Sequence, residues 1–196
     1  MKPYLLLDID GVLNLFPSFS SDAQVKRPVA RHRAVIERAN MQEGVKELAY
    51  GVNIPLDAAA LIAQLSDHFE IRWYTMWNEH AARVFAPLAG IPDFDYFEAD
   101  HREGLLALMR RNQGFMRDRL WLAKTPLIPD YVGDRPFVWV DDDTRAIDTD
   151  WLQDQGLTQF QIITVEPHSG LTQEVVDLAI AWATTLTHIN QEVTAP

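Results

Sequence analysis

Short apolar runs that stop at Gly, Pro or Asp alternate along this chain with stretches of helical periodicity, and that alternation restricts the fold more than any other feature. Parallel strands need crossover connections of about a dozen residues, usually a helix, so the pattern predicts an α/β protein with a central parallel sheet of about five strands. The strand-like runs are 4–7, 69–74, 94–97, 137–140 and 160–165. Between and after them, Ala58, Leu61, Ile62 and Leu65 make one apolar helical face, and Ala81, Val84, Phe85 and Leu88 a second. Leu105, Leu106, Leu108 and Met109 make a third, and Val175, Leu178, Ala179 and Trp182 the last.

Residues 17–55 fit this alternation poorly. They are basic and polar at Lys26, Arg27, Arg31, Arg33 and Arg38, then strand-like over 45–54. The stretch is too short for a second domain, since domains start at about 50 residues, and reads as an insertion, a flap or hairpin over the site. Its basic part reads either as a contact for an anionic substrate or, more simply, as a helix exposing Arg31, Glu37 and Arg38 while Ala34, Val35 and Ala39 pack. The chain as a whole, 1–196, reads as one domain whose polar tail, 187–196, is expected to fray.

Charge and composition narrow the function. With 17 basic and 28 acidic residues the net charge is −11, a field that repels polyanions and argues against non-specific nucleic-acid binding or an anionic membrane surface. The absence of cysteine removes thiolate catalysis and zinc–thiolate sites, and suits a reducing, cytoplasmic setting. The apolar run at 4–7 ends at Asp8 and is too short for a signal peptide or a membrane span.

In an open parallel sheet, functional groups collect beyond the carboxyl ends of the strands, so the residues after each run carry the chemistry. Asp8-Ile9-Asp10-Gly11-Val12-Leu13-Asn14 follows the first run and sets two carboxylates two residues apart before a glycine turn. If both face one pocket, a hard cation such as Mg²⁺ offsets their repulsion; the plainer reading is a common Asp-Gly turn. Asp141-Asp142-Asp143 follows the run 137–140. Asp141 and Asp142 are the candidate metal ligands, and Asp143 or Thr144 a cap for the next helix. Thr75 follows the second run, and Lys124 precedes the Pro-rich loop leading to the acidic strand. Trp77 offers either a ring to stack on a base or sugar or a core side chain. His168 sits in a loop after the fifth run, and no histidine pair has metal-ligand spacing.

Two acids, a hydroxyl, a lysine and two further acids, in that order, resemble the four motifs of the haloacid dehalogenase-like superfamily. Asp8/Asp10, Thr75, Lys124 and Asp141/Asp142 stand at the matching positions. Asp-Gly-Val-Leu-Asn after Asp8, Thr75-Met76-Trp77, Trp139-Val140-Asp141-Asp142-Asp143 and Gly170-Leu171-Thr172 are similar to a branch that includes domains of Swiss-army-knife RNA-repair proteins. The likeness bears on fold and chemistry more than on a repair role.

The resemblance implies a Rossmann-like three-layer αβα fold and a Mg²⁺-dependent phosphohydrolase working through an aspartyl-phosphate. Asp8 is then the nucleophile and Asp10 the acid, then the base, its backbone carbonyl adding to the metal shell. Thr75 and Lys124 hold the phosphoryl oxygens, and Asp141 and Asp142 complete the metal site. The expected partner is a small phosphorylated molecule, a nucleotide or a nucleic-acid terminus. The alternative from another class is a non-catalytic module that keeps the fold and a cation site and acts through a protein or nucleic-acid partner. Transfer to an acceptor other than water uses the same residues, whereas a dehalogenase has no need of Asp10, because a halide departs unprotonated.

Overall fold

The computed structural model describes residues 1–16, 27–40, 44–100 and 124–194. The strands of the main sheet are β1 (Tyr4–Leu7), β4 (Glu70–Trp73), β5 (Phe137–Asp141) and β6 (Phe160–Thr164). They lie in the order β4-β1-β5-β6, and every pair is parallel. β1 and β5 are continuous apolar runs because both their faces are covered: Leu5, Leu6 and Leu7 are fully buried, as is all of β5. The strand period of two sends Leu5, Leu7, Ile71, Trp73, Val138 and Val140 into one apolar cluster and Leu6, Phe137 and Trp139 into another.

The first cluster is completed by Leu61, Ile62 and Leu65 of α1 (Ala58–His68) and by Val176, Ala179 and Ala183 of α5 (Gln173–Thr194). The second takes Ile128 and Val132 of α3 (Ile128–Val132) and Trp151 and Leu152 of α4 (Ala146–Asp154). The predicted face of α1 is the buried one. The second predicted face holds Ala81 and Phe85 in a π-turn, Ala81–Phe85, that runs into α2 (Ala86–Ala89). Pro87 lacks an N–H and crowds the carbonyl four residues back, and the widened turn just before it relieves that conflict. The third predicted face, 105–109, lies outside the described residues.

Three expectations change. Residues 94–97 are not a strand: Tyr96 makes only an isolated bridge to Trp73, and Asp95, between the aromatics, turns out to pair with Arg72, so the sheet has four strands among the described residues. On α5 the buried stripe is Val176, Ala179 and Ala183, while Leu178 is 48% exposed, one residue off that stripe and so about 100° around the helix. α5 itself continues to Thr194. The basic half of the insertion is a strand, not a helix.

That insertion forms a two-stranded antiparallel sheet of β2 (Val29–Asn40) and β3 (Gly44–Pro55). Arg31, Arg33, Val35 and Glu37 face solvent while Ala34 is buried and Ile36 packs on the core, so period two replaces the predicted helical period and Val35 is 43% exposed. Ala34, Val52 and Ile54 anchor the hairpin in the first cluster. Arg27 at its root donates to the carbonyls of Ser169 and Leu171 and pairs with Asp57, which gives it a structural task. Lys26 lies outside the described residues. No helix of the described residues is long and apolar enough to cross a membrane.

Candidate active site

Register builds the site. Leu7 of β1 is level with Trp73 of β4 on one side and Val140 of β5 on the other. The next residues, Asp8, Tyr74 and Asp141, therefore emerge at one sheet edge, with Thr75 one step further. The chain runs from β1 to β4 on one side and from β5 to β6 on the other, so β1 and β5 flank the point where the connections diverge, where open sheets leave a crevice.

After Asp8 the backbone wraps into one tight turn. The N–H groups of Val12, Leu13 and Asn14 all donate to the Ile9 carbonyl, and Gly11 N–H donates to the Asn14 carbonyl at 2.9 Å. Ile9 goes into the core, which leaves Asp8 and Asp10 on the crevice side. Gly11 has φ +71°, and a Cβ there would lie 2.2 Å from the carboxyl carbon of Asp142. Only glycine allows both that conformation and the close approach of Asp142.

The crevice holds a cavity of about 170 Å³ lined by Asp8, Asp10, Thr75, Met76, Lys124, Thr125, Trp139, Asp141, Asp143 and Asp148. Five of the seven residues singled out in the sequence share it. Asp142 lies instead against Gly11, and Trp77 is behind the wall. Lys124 Nζ donates to Asp8 Oδ2 at 2.8 Å and also to Asp141 Oδ2. Asp8 Oδ1 accepts the Ile9 N–H at 2.8 Å, and Asp141 Oδ1 the Asp143 N–H at 3.0 Å. Burial pulls the Lys124 ammonium towards neutrality, but the charges of Asp8 and Asp141 outweigh it and raise its pKa, so it stays protonated. Burial, and then the charge of Asp8, push Asp141 well above the usual carboxylate range and Asp142 up to about 6.

Asp10 is held differently. Its Oδ1 accepts from Asn14 Nδ2 at 2.7 Å and its Oδ2 from Trp77 Nε1 at 2.9 Å, and burial raises its pKa. Trp77 is 7% exposed and packs edge-on against Phe85 and tilted against Tyr50, so its ring is no stacking platform for a substrate. Thr75 is buried beside it, and the Trp77 N–H reaches Thr75 Oγ1 only at 3.5 Å, leaving that hydroxyl weakly engaged.

Two features escaped the sequence reading. The Lys124 backbone is fastened on both sides: Tyr74 Oη donates to its carbonyl at 2.5 Å, and the hydroxyl of the next residue, Thr125, bonds Asp148. Asp148 also accepts the Arg145 N–H at 2.7 Å, so it, and neither Asp143 nor Thr144, serves the start of α4. Asp143 instead pairs with Arg145 at 3.2 Å. An acid three residues past a helix start is a readable capping signal, but Thr125 as its second partner is not. His168 sits apart from the cavity, with Nδ1 2.9 Å from the Phe16 carbonyl oxygen.

One carboxylate oxygen each from Asp8, Asp141 and Asp142 lie within 4.8 Å of one another. The set offers the all-oxygen, anionic chemistry a hard cation takes. A nucleophile-capable carboxylate, a second acid two residues on, a hydroxyl and an ammonium thus line one cavity. The chain matches no protein-family model, no curated protein and no solved structure.

Proposed function

We propose that this protein is a Mg²⁺-dependent phosphohydrolase of the haloacid dehalogenase-like kind, acting on a phosphomonoester through an aspartyl-phosphate. The observation that carries the reading is Lys124, whose ammonium joins Asp8 and Asp141 across adjacent strand ends while Asp10 stands two residues away in the same cavity. Apolar clusters on both faces of the parallel sheet support a Rossmann-like three-layer arrangement for it.

In this mechanism an Asp8 carboxylate oxygen bonds to phosphorus as the ester oxygen leaves, and Asp10 gives that oxygen a proton. Asp10 then takes a proton from the water that attacks the aspartyl-phosphate, releasing inorganic phosphate and restoring Asp8. Lys124 and the Thr75 hydroxyl bind the equatorial phosphoryl oxygens, whose charge grows in the transition state. Asp8, Asp141 and Asp142 would hold Mg²⁺, which supplies neutralisation of the phosphate charge so that an anionic nucleophile can approach. The substrate is a small phosphomonoester, a nucleotide or the end of a nucleic acid, and the net charge of −11 disfavours tight hold on the rest of a polymer.

The test is hydrolysis of p-nitrophenyl phosphate, then of nucleotides and of 3′- and 5′-phosphorylated oligonucleotides, with and without Mg²⁺, by wild type and Asp8→Asn. Turnover that needs Mg²⁺ and drops by about 10⁴-fold or more in Asp8→Asn is expected. Mg²⁺ binding without turnover of any substrate sinks the reading in favour of a binding module.

A further inference from the structure

We infer that Trp77 and Asn14 are positioning residues that aim the Asp10 carboxyl at the departing ester oxygen, so that their loss is felt in proportion to how much the leaving group needs a proton. The inference rests on the phosphohydrolase reading and adds to it two residues with a defined task.

The argument starts from the kind of donor each acid receives. Asp8 and Asp141 share a charged donor, the Lys124 ammonium. Asp10 has neutral donors: Asn14 Nδ2 at 2.7 Å on one oxygen and Trp77 Nε1 at 2.9 Å on the other. A nucleophile has to stay ionised, whereas a general acid must carry a proton at one step and lose it at the next. Neutral N–H donors serve that alternation. They fix the carboxyl plane by binding one lone pair on each oxygen and leave the others for the reacting atoms, without an opposite charge that would forbid protonation.

Each donor is itself immobilised by a separate part of the chain. Asn14 Oδ1 accepts the Asn53 N–H of β3 at 2.9 Å, which sets the amide so that its NH₂ faces Asp10. The Trp77 ring is locked between Phe85 at 5.8 Å and Tyr50 of β3 at 6.1 Å. The Asp10 orientation is therefore fixed from the turn after β1, the segment after β4 and the hairpin insertion together. Catalytic groups need angular placement within about 10–20°, and an Asp side chain without such partners rotates more widely than that.

The experiment compares two substrates of one enzyme. The alkoxide of an alkyl phosphate must be protonated as its P–O bond breaks, whereas p-nitrophenolate leaves without a proton. Trp77→Phe keeps the ring contacts and deletes only the N–H; Asn14→Ala removes the other donor and serves if the first variant is poorly folded by thermal melt. Both are expected to lower kcat on the alkyl phosphate about tenfold or more beyond any loss on p-nitrophenyl phosphate, with KM little changed, and Asp10→Asn sets the ceiling. An equal loss on both substrates, or none on either, overturns the positioning role and leaves the phosphohydrolase reading intact. Wild type that turns over neither substrate overturns that reading, and the inference with it.

Discussion

The two ends of the parallel sheet treat charge in opposite ways. At the amino end Arg135 donates to Glu70 at 2.5 Å and to the Lys2 carbonyl, its guanidinium lies 3.7 Å from the centre of the Tyr4 ring, and Arg72 pairs with Glu70 and Asp95. Two cations meet two carboxylates, all partly in water, and Glu70 has its pKa lowered by the Arg135 and then the Arg72 hydrogen bond. At the carboxyl end Asp8, Asp10, Asp141 and Asp142 face one ammonium among the described residues, and the pKa values of Asp10, Asp141 and Asp142 are raised by burial. A closed set of ion pairs is finished in itself. An excess of buried carboxylates is electrostatically incomplete, and the cation and phosphate of the proposed reaction would complete it.

The sharpest way to break this comparison is to remove the Lys124 ammonium. Lys124→Met leaves Asp8 and Asp141 buried beside each other, and removing one partner of a buried charge pair costs about 3–5 kcal/mol. Urea denaturation should show a loss of that size at neutral pH. Because the folded-state pKa of Asp141 is raised above its unfolded value, protonation is tighter in the folded protein, so the variant should recover stability as pH falls through that raised value. A loss under about 1 kcal/mol would mean that the carboxylates are solvated and the two ends do not differ in kind.

Gly11→Ala sharpens the comparison by acting on one carboxylate alone. The new Cβ meets Asp142 and the φ of +71° is strained for alanine, so a loss of about 1–3 kcal/mol is expected. Gly90→Ala is the control, with φ +64° and nothing near its Cβ, and should cost only about 1 kcal/mol. Thermal melts with and without Mg²⁺ should show a shift in wild type and Gly90→Ala that shrinks in Gly11→Ala, because Asp142 is displaced. An undiminished shift removes Asp142 from the cation site.

How much of this was legible in the sequence depends on how local each cause is. β1 and β5 announce themselves because both faces are covered, so every residue from Leu5 to Leu7 and from 137 to 140 is apolar. The 29–37 segment does not: a helix that packs Ala34 and Val35 and exposes Arg31 and Glu37 competes with the alternation of Arg31, Arg33, Val35 and Glu37, and pairing with β3 decides between them. The acids after β1 and β5 stand out by their position at run ends, and parallel pairing alone brings them level. Asn14 and Trp77 have no such signal, since the Trp77 bond to Asp10 spans 67 residues of chain and depends on a ring seated by Tyr50 and Phe85. The order of motifs can nominate groups that react; it is silent on the groups that aim them.

The smallest effect lies at the amino end. A carboxyl whose folded pKa is depressed contributes stability that is present above its unfolded value, near 4.5 for Glu70, and is lost as pH falls through the folded value. Glu70 is 40% exposed, so water and salt screen its pairs and the contribution is under about 1 kcal/mol. Arg135→Met should therefore cost that little at neutral pH, the cost should fade as the solution is acidified below the folded pKa of Glu70, and added salt should shrink it. Lys124→Met responds to acid with the opposite sense, gaining stability where Arg135→Met merely stops differing from wild type. Parallel pH profiles for the two variants would show that burial, and not the balance of charge, separates the ends of the sheet.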